Sequence, residues 1–550
     1  MMRFSGLSLI CSLVSICLAT PEVQLDGTTL VGTSIDAFDL VEQEFFGGIP
    51  FAEAPVGALR FAPPVPKSSL NVTSFDASEF GAPCPQLGSP LNVSEDCLTI
   101  NVLRPAGLSV GSALPVMAFI YGGGFAEGNT SVYNATVLIG QSVARGTPVI
   151  YVNFNYRLGP FGFPQGDESA SRGALNLGLK DQIAALEWIQ TNIGTFGGDP
   201  SKVTVFGESA GAISIALLFL NSGLEHLARA AILESGSQSS TPAFNASQRE
   251  FEWQNFVAAT PECNGTSSSS TFDCLRQANI STLLTAYTIA ASESPEEFPF
   301  VPVIDGPGGI VPDLPSNLLA TGHFSRIPFI AGTNLDEGTS FVPTDVATDE
   351  EVRDLIISSA FPTITGQAPP DLTIAADILL KLYPDNPALG SPFGTGNDTF
   401  GLSSEFKRSA AIAGDLFFHA LRRAWTQAAS KVGVKTYAYL FTDPQAVPAG
   451  EPFLGVTHAT ELFYVYGAPT VFGPAPANVL SLAMMDYWIS FAVNLDPNDG
   501  YGSPRPTWQQ YTPSNEVILQ LTGQNSTVIP DDYRAIQIAA INAVPSVFSH

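Results

Sequence analysis

The stretch Val203-Thr204-Val205-Phe206-Gly207-Glu208-Ser209-Ala210-Gly211 sets one serine between two glycines in the spacing G-x-S-x-G. A β-rich run, Val203 to Phe206, precedes it, and an apolar helical run, Ala212 to Leu220, follows. A serine on such a strained strand-to-helix turn is presented as a nucleophile, and the flanking glycines leave room for neighbouring backbone. A helix starting at Ala210 also directs free N–H groups and the positive end of its dipole at the same point.

A serine hydroxyl attacks a carbonyl only when a base takes its proton, so a histidine oriented by a carboxylate must reach it. The sequence has five histidines. His226 stands too near the elbow helix, His550 is terminal, His323 precedes a strand-like run, and His419 sits in a helical pattern between Phe406 and Trp425. His458 remains, on a Gly/Pro-rich stretch after the run Thr436 to Phe441. In the order serine, acid, histidine, the acid falls in Asn334-Leu335-Asp336-Glu337-Gly338, where spacing leaves Asp336 and Glu337 both open. An oxyanion on the attacked carbonyl needs main-chain donors, worth about 3 kcal/mol each. Tyr121-Gly122-Gly123-Gly124-Phe125 can supply them, with the N–H of Ala210 as a further donor.

These residues need a frame, and the pattern supplies one. Val116 to Tyr121, Val149 to Asn155, Val203 to Phe206, Ala230 to Leu233, Ile327 to Ala331 and Thr436 to Phe441 read as strands. Helical patterns alternate with them: Leu179, Ile183, Leu186, Ile189 and Ile193 recur on one helix face, and Ala477 to Val493 reads as a late helix. Alternation of this kind predicts an α/β protein with a large, mostly parallel sheet covered by helices on both faces. Residues 20–550 read as one extended domain. With 51 Asp+Glu against 23 Lys+Arg the net charge is −28, which excludes nucleic acid as a partner and favours a soluble monomer by mutual repulsion. Apolar residues at 45% with charged residues at 13% exclude disorder.

Arg3, the apolar run Leu7 to Leu18 and the small residues around Ala19 form a signal-peptide pattern over residues 1–19. The run is shorter than the roughly 20 residues that span a bilayer, and no later stretch reaches that length, so a secreted protein without stable membrane anchoring is expected. Cys11 and Cys17 leave with the segment; local closure then favours Cys84 with Cys97 and Cys263 with Cys274 as disulfides. A zinc site would need closer spacing and histidine partners, so no metal is expected. Asn71, Asn92, Asn129, Asn134, Asn245, Asn264, Asn279, Asn397 and Asn525 each begin an N-x-Ser/Thr sequon and are glycosylation candidates.

Glu95-Asp96-Cys97-Leu98, Tyr121 to Phe125, Asn155-Tyr156-Arg157, Phe196-Gly197-Gly198-Asp199-Pro200, Gly207 to Gly211 and Asp336-Glu337-Gly338 resemble, in order, the signatures of the type-B carboxylesterase/lipase family. The resemblance runs from about Val23 to the carboxyl end. It implies an α/β-hydrolase fold, a triad of Ser209, Glu337 and His458, and an oxyanion hole from Gly123, Gly124 and Ala210. It also implies the two disulfides, and structural ion pairs of Arg60 with Glu95 and Arg157 with Asp181. Glu208 and Ser235 are similar to residues that support the triad. The reaction implied is hydrolysis of a small-molecule carboxylic ester through an acyl-serine, which needs no cofactor.

The substrate is less specified. The Cys84 to Cys97 loop corresponds to the family's active-site flap, but only a dozen residues separate its cysteines and Asn92 lies among them. That is short for a lid that opens on lipid. The loop has no Trp, against a cholinesterase-like site that holds a quaternary ammonium by cation–π attraction. Phe298 and Phe300 align with the family's acyl-pocket segment and predict an aromatic wall. Short-to-medium or aromatic acyl esters are the expected substrates; a triacylglycerol lipase, a sterol esterase and a feruloyl-type esterase are alternatives. A non-catalytic adhesion or binding protein on the same fold is the alternative of a different class.

Overall fold

The computed structural model describes residues 20–37, 41–88, 92–221, 223–361 and 368–550. The segment read as a signal peptide, with Cys11 and Cys17, lies outside the described residues. In chain order the strands are β1 (Glu22–Leu25), β2 (Thr28–Val31), β3 (Thr33–Ala37), β4 (Val41–Pro50), β5 (Ser74–Asp76), β6 (Thr99–Pro105) and β7 (Leu114–Ile120). They continue with β8 (Ile150–Phe154), β9 (Gly198–Glu208), β10 (Ala230–Glu234), β11 (Phe329–Asn334), β12 (Thr436–Phe441), β13 (Val517–Leu521) and β14 (Thr527–Pro530).

Eleven of these form one sheet in the order β14-β13-β12-β11-β10-β9-β7-β8-β6-β4-β3, while β1, β2 and β5 make a small separate sheet. From β8 across to β13 every neighbouring pair is parallel. The margins are antiparallel: β14 on one side, and β6, β4 and β3 on the other. Parallel strands must be joined by crossovers, which is why the sequence between them reads as helix and why both sheet faces are covered. The strands β8, β10, β11 and β12 are buried along their whole length.

The helix Leu177–Asn192 occupies the predicted span. The helix Ala210–Asn221 is buried from Ala210 through Leu220, which accounts for a sequence apolar on every face. A second apolar cluster lies outside the sheet core, formed by the helices Asp349–Ala360, Pro370–Leu382, Ser404–Gly414 and Ala535–Asn542 through Val352, Leu372, Phe406 and Ile538 among others. Between Ser404–Gly414 and the helix Ala420–Lys431 the chain makes a π-helical turn, Asp415–His419. The Asp415 carboxylate anchors that turn, accepting from Tyr383 Oη at 2.6 Å and from Arg534 Nη2 at 2.7 Å.

Cys84 is joined to Cys97 and Cys263 to Cys274. Arg60 ties the two loops together: its guanidinium meets Glu95 at 2.6 and 2.7 Å and donates to the carbonyls of Leu275 and Ala278 at 2.7 and 2.8 Å. Arg157 meets buried Asp181 in a bidentate pair at 2.7 and 2.8 Å. Of the sequon asparagines, Asn129 is half-buried and its side chain accepts from Ser131 N at 3.0 Å; the other eight are exposed.

Candidate active site

Ser209 sits where β9 ends and the helix Ala210–Asn221 begins, with φ at 54°. Its N–H donates to the carbonyl of Glu234 at the end of β10 (2.9 Å), so the turn is clamped by the neighbouring strand. Gly211 is required here by close approach: a Cβ on it would lie 1.9 Å from the carbonyl oxygen of Ile120, the last residue of β7. The spacing of small residues around the serine therefore answers to the packing of three adjacent parallel strands.

The loops after β11 and β12 bring Glu337 and His458 together. Glu337 Oε2 lies 2.6 Å from His458 Nδ1. Its other oxygen, Oε1, accepts from Ser235 Oγ at 2.6 Å and from Asn334 N at 2.7 Å, and the side chain is fully buried. Asp336, the other acid that spacing left open, is directed elsewhere. It accepts from Ser391 Oγ (2.8 Å), Phe393 N (2.8 Å) and Val456 N (2.9 Å), and burial, only partly offset by those bonds, pushes it up to about 6. Asp336 thus fastens the histidine loop to residues 391–393, and Glu337 alone of the two reaches the imidazole.

His458 Nε2 lies 3.1 Å from Glu208 Oε1 and makes no hydrogen bond to Ser209 in this structure. Loose catalytic contacts of this kind are common without substrate. The rings of Phe418 and Phe341 pack on the imidazole with centroids 4.8 and 5.0 Å away, fixing its plane. Burial disfavours the imidazolium, but the carboxylates of Glu208 and Glu337 outweigh it and push His458 up to about 9. Burial likewise pushes Glu208 up to about 8, with His458 pulling the other way. A base must be neutral to accept a proton from serine, so a carboxylate that favours the imidazolium works against that step. Glu208→Gln removes one negative charge from His458, so the acid limb of the kcat/KM profile should move to lower pH by about one unit or more. A limb that stays in place or moves upward in that variant would show that Glu208 does not set the basicity of His458.

Gly123 and Gly124 follow β7 with φ at 105° and 62°, and their N–H groups, with that of Ala210, donate to no other main-chain group of the described residues. Phe298 lies so close over Gly124 that a Cβ there would come within 2.3 Å of the ring. Gly124, Ala210 and Phe298 line a cavity of about 360 Å³ that contains Ser209. An apolar wall is built by Val352, Leu355 and Ile356 on one helix and Ile412 and Ala413 on another, with Leu416, Phe417 and Phe418 from the π-helical turn. No described residue of the Cys84 to Cys97 loop lines it.

Phe300, read as an acyl-pocket residue, does not line this cavity. It is buried against Tyr287 and Phe256 with ring centroids 5.5 and 6.1 Å away: an extended segment would put residues two apart on one face, but the chain bends at Phe300, and only Phe298 packs on Gly124. Three residues near the site were missed from sequence. Glu461 is fully buried, and its carboxylate is held by Asn334 and by Ser235 Oγ at 3.4 Å; its signal was a glutamate three residues after the histidine. Glu234 is held by Trp488 Nε1 at 2.5 Å and burial raises it well above the usual carboxylate range. Glu297 lines the cavity that contains Ser209, and burial raises it while His458 pulls it down. Among the described residues no group of three or more His, Cys, Asp or Glu could hold a metal ion.

A family model described as "Carboxylesterase family" matches residues 19–539. Secreted lipase 1 of Botryotinia fuckeliana is 35% identical over 545 residues, covering 92% of this chain and 90% of that protein. Lipase 2 of Geotrichum candidum is 31% identical over 567 residues, covering 95% of each. Among solved structures, Aspergillus niger EstA superposes with a TM-score of 0.82 at 27% identity, over 97% of this chain and 99% of that one. A PNB esterase superposes with a TM-score of 0.76 at 30% identity, over 94% and 99%. With the α/β-hydrolase layout of these esterases and a family match over nearly its whole length, the chain is a carboxylic ester hydrolase and belongs to the carboxylesterase family.

Proposed function

We propose that the chain hydrolyses small carboxylic esters through an acyl-enzyme on Ser209, with Glu337 and His458 as its partners and Gly123, Gly124 and Ala210 as oxyanion donors. The observation that carries this reading is the 2.6 Å contact of Glu337 with His458 beside the cavity that holds Ser209. His458 Nε2 takes the Ser209 proton as Oγ bonds to the ester carbonyl carbon, and the carbonyl oxygen becomes an oxyanion facing the three N–H groups. When the tetrahedral species collapses, the ester C–O bond breaks and the alkoxide leaves with the proton from His458. A water then repeats the sequence on the acyl-serine, giving the free acid and restoring Ser209. Glu337 keeps Nδ1 protonated, so that Nε2 stays the basic nitrogen, and it stabilises the imidazolium that forms in each half-reaction. All three members of the triad stand in the chain, which argues for catalysis over an adhesion role.

The substrates favoured are short-to-medium acyl esters. A cavity of about 360 Å³ is at the small end of ligand pockets, and Phe298 narrows it beside the oxyanion donors. A second reading, triacylglycerol lipase, is favoured by the apolar wall between the two helices and by relatives that are named lipases. A panel of p-nitrophenyl acetate, butyrate, octanoate and palmitate, with emulsified triolein, a steryl ester and methyl ferulate, separates the readings. The expected result is a kcat/KM maximum between four and eight acyl carbons, on the order of tenfold above palmitate, a difference of about 1.4 kcal/mol in transition-state stabilisation. A maximum on triolein, appearing only above the solubility limit, would establish the lipase reading instead.

Secretion, removal of residues 1–19, glycosylation at the exposed sequons and a monomeric state complete the proposal. The apolar amino-terminal run, relatives named as secreted lipases and the high negative charge support it. No helix among the described residues is long and apolar enough to cross a membrane.

A further inference from the structure

The segment that leaves β10 is shared by two cavities. Ser240, Thr241 and Pro242 line the catalytic one, whereas Ser237, Gln238 and Ser239 line a second cavity of about 690 Å³. The second cavity lies between the helices Pro315–Thr321 and Ala420–Lys431 and the carboxyl-terminal turn at Pro545 and His550. Its volume is within the range of small-molecule sites.

The charge of the lining is opposite to that of the molecule. In a chain with 51 acidic and 23 basic residues, it carries two cations, Arg326 and Lys431, and no Asp or Glu side chain; the carboxyl group of His550, the last residue, accepts from Ser316 Oγ at 2.6 Å. Arg326 donates to the carbonyls of Gly322 (3.0 Å) and Val432 (3.4 Å) and stacks on Phe324 at 5.1 Å, so its guanidinium is held in place, yet it meets no carboxylate. Lys431 has no hydrogen bond or ion pair among the described residues. Exposed Glu516, outside the lining, accepts from Gln427 at 2.9 Å. Two further polar groups of the lining are buried without a partner: Nε2 of Gln238, a residue 2% exposed, and Nδ1 of His550, 5% exposed. The remaining lining is mixed: Leu319, Leu421 and Val432 give an apolar strip, and Ser237, Ser239 and Ser316 are among its polar residues.

Two exposed cations, of which Arg326 is held in place, beside the apolar side chains of Leu319, Leu421 and Val432 suit a ligand with one anionic head and a hydrocarbon body. We infer that this cavity binds an apolar monocarboxylate, with its head on Arg326 and Lys431 and its chain along Leu319, Leu421 and Val432. An alkyl carboxylate is also the class of acid that ester hydrolysis releases, so the enzyme's own product is one source and free fatty acid in the medium the other. Either would bind beside the segment that carries Ser235, whose hydroxyl holds Glu337.

The test is calorimetric titration of the full chain with octanoate and, separately, with octanol, after Ser209 has been blocked with a phosphonate ester so that the catalytic cavity is occupied. The same titrations are run on the Arg326→Gln/Lys431→Gln double variant, whose two positions lie outside the catalytic cavity and should leave initial rates on a neutral ester unchanged. The expected result is saturable one-to-one binding of octanoate, at least tenfold weaker in the double variant, and no saturable binding of octanol. Equal octanoate affinity in the double variant, equal binding of octanol, or no binding to the blocked protein would each overturn the site. Failure of the phosphonate to react would refute the role of Ser209 instead. The octanoate component lost with the double substitution then still decides the matter on unblocked protein.

Discussion

Ser209→Ala should lower kcat by about 10⁵ to 10⁶ on a soluble p-nitrophenyl ester, the loss seen when the nucleophile of a serine triad is removed. The substitution deletes one oxygen from a turn whose φ of 54° is held by the Glu234 carbonyl and by the packing of Gly211 against Ile120. The fold should therefore survive, and near-ultraviolet circular dichroism and the melting temperature should match the native protein. What disappears is the atom that bonds to the acyl group, together with stoichiometric labelling by a phosphonate. Activity within a factor of ten of native, on protein shown free of contaminating esterase, would rule out Ser209 as nucleophile.

Glu337→Gln should cost about 10⁴ in kcat, because an amide cannot hold the imidazole with Nδ1 protonated and Nε2 free to accept. The comparison that gives this result its meaning is Asp336→Asn. Asp336 accepts three hydrogen bonds away from the imidazole, and an asparagine there turns one acceptor into a donor facing the N–H of another residue. That variant should lose about 1–3 kcal/mol of stability while kcat changes little. Urea denaturation and steady-state kinetics on both proteins separate the roles. The reverse pattern, with kcat lost in Asp336→Asn and kept in Glu337→Gln, would exchange the two assignments.

The parallel core was legible because strands buried on both faces leave continuous apolar runs, as in Ala230 to Glu234 and Thr436 to Phe441. The margins were not. β3, β4, β13 and β14 are partly exposed, pair antiparallel or lie at an edge, and carry mixed sequences such as Val41–Pro50 that resemble loop. The strained turn at Ser209 could be read from local constraint alone, since it demands its glycines in sequence. The acid could not, because Asp336 and Glu337 are adjacent and only the backbone direction after β11 decides which side chain points at His458. The same limit hid the failure of Phe300, and it hid Glu461, whose burial depends on Asn334 and Ser235 from distant parts of the chain.

The π-helical turn at Asp415–His419 bears on how this cavity could diverge. Such a turn is an α-helical one widened by a single residue, and here the widening falls where Phe417 and Phe418 both face the cavity. Deleting one residue would let the two flanking helices merge into a regular one and rotate one phenylalanine out of the wall, leaving Ser209, Glu337 and the loop of His458 in place. An indel on one helix would therefore reshape the acyl wall without touching the sheet, and it would also spare His458 only where Phe417, not the Phe418 that packs on the imidazole, is the ring that leaves.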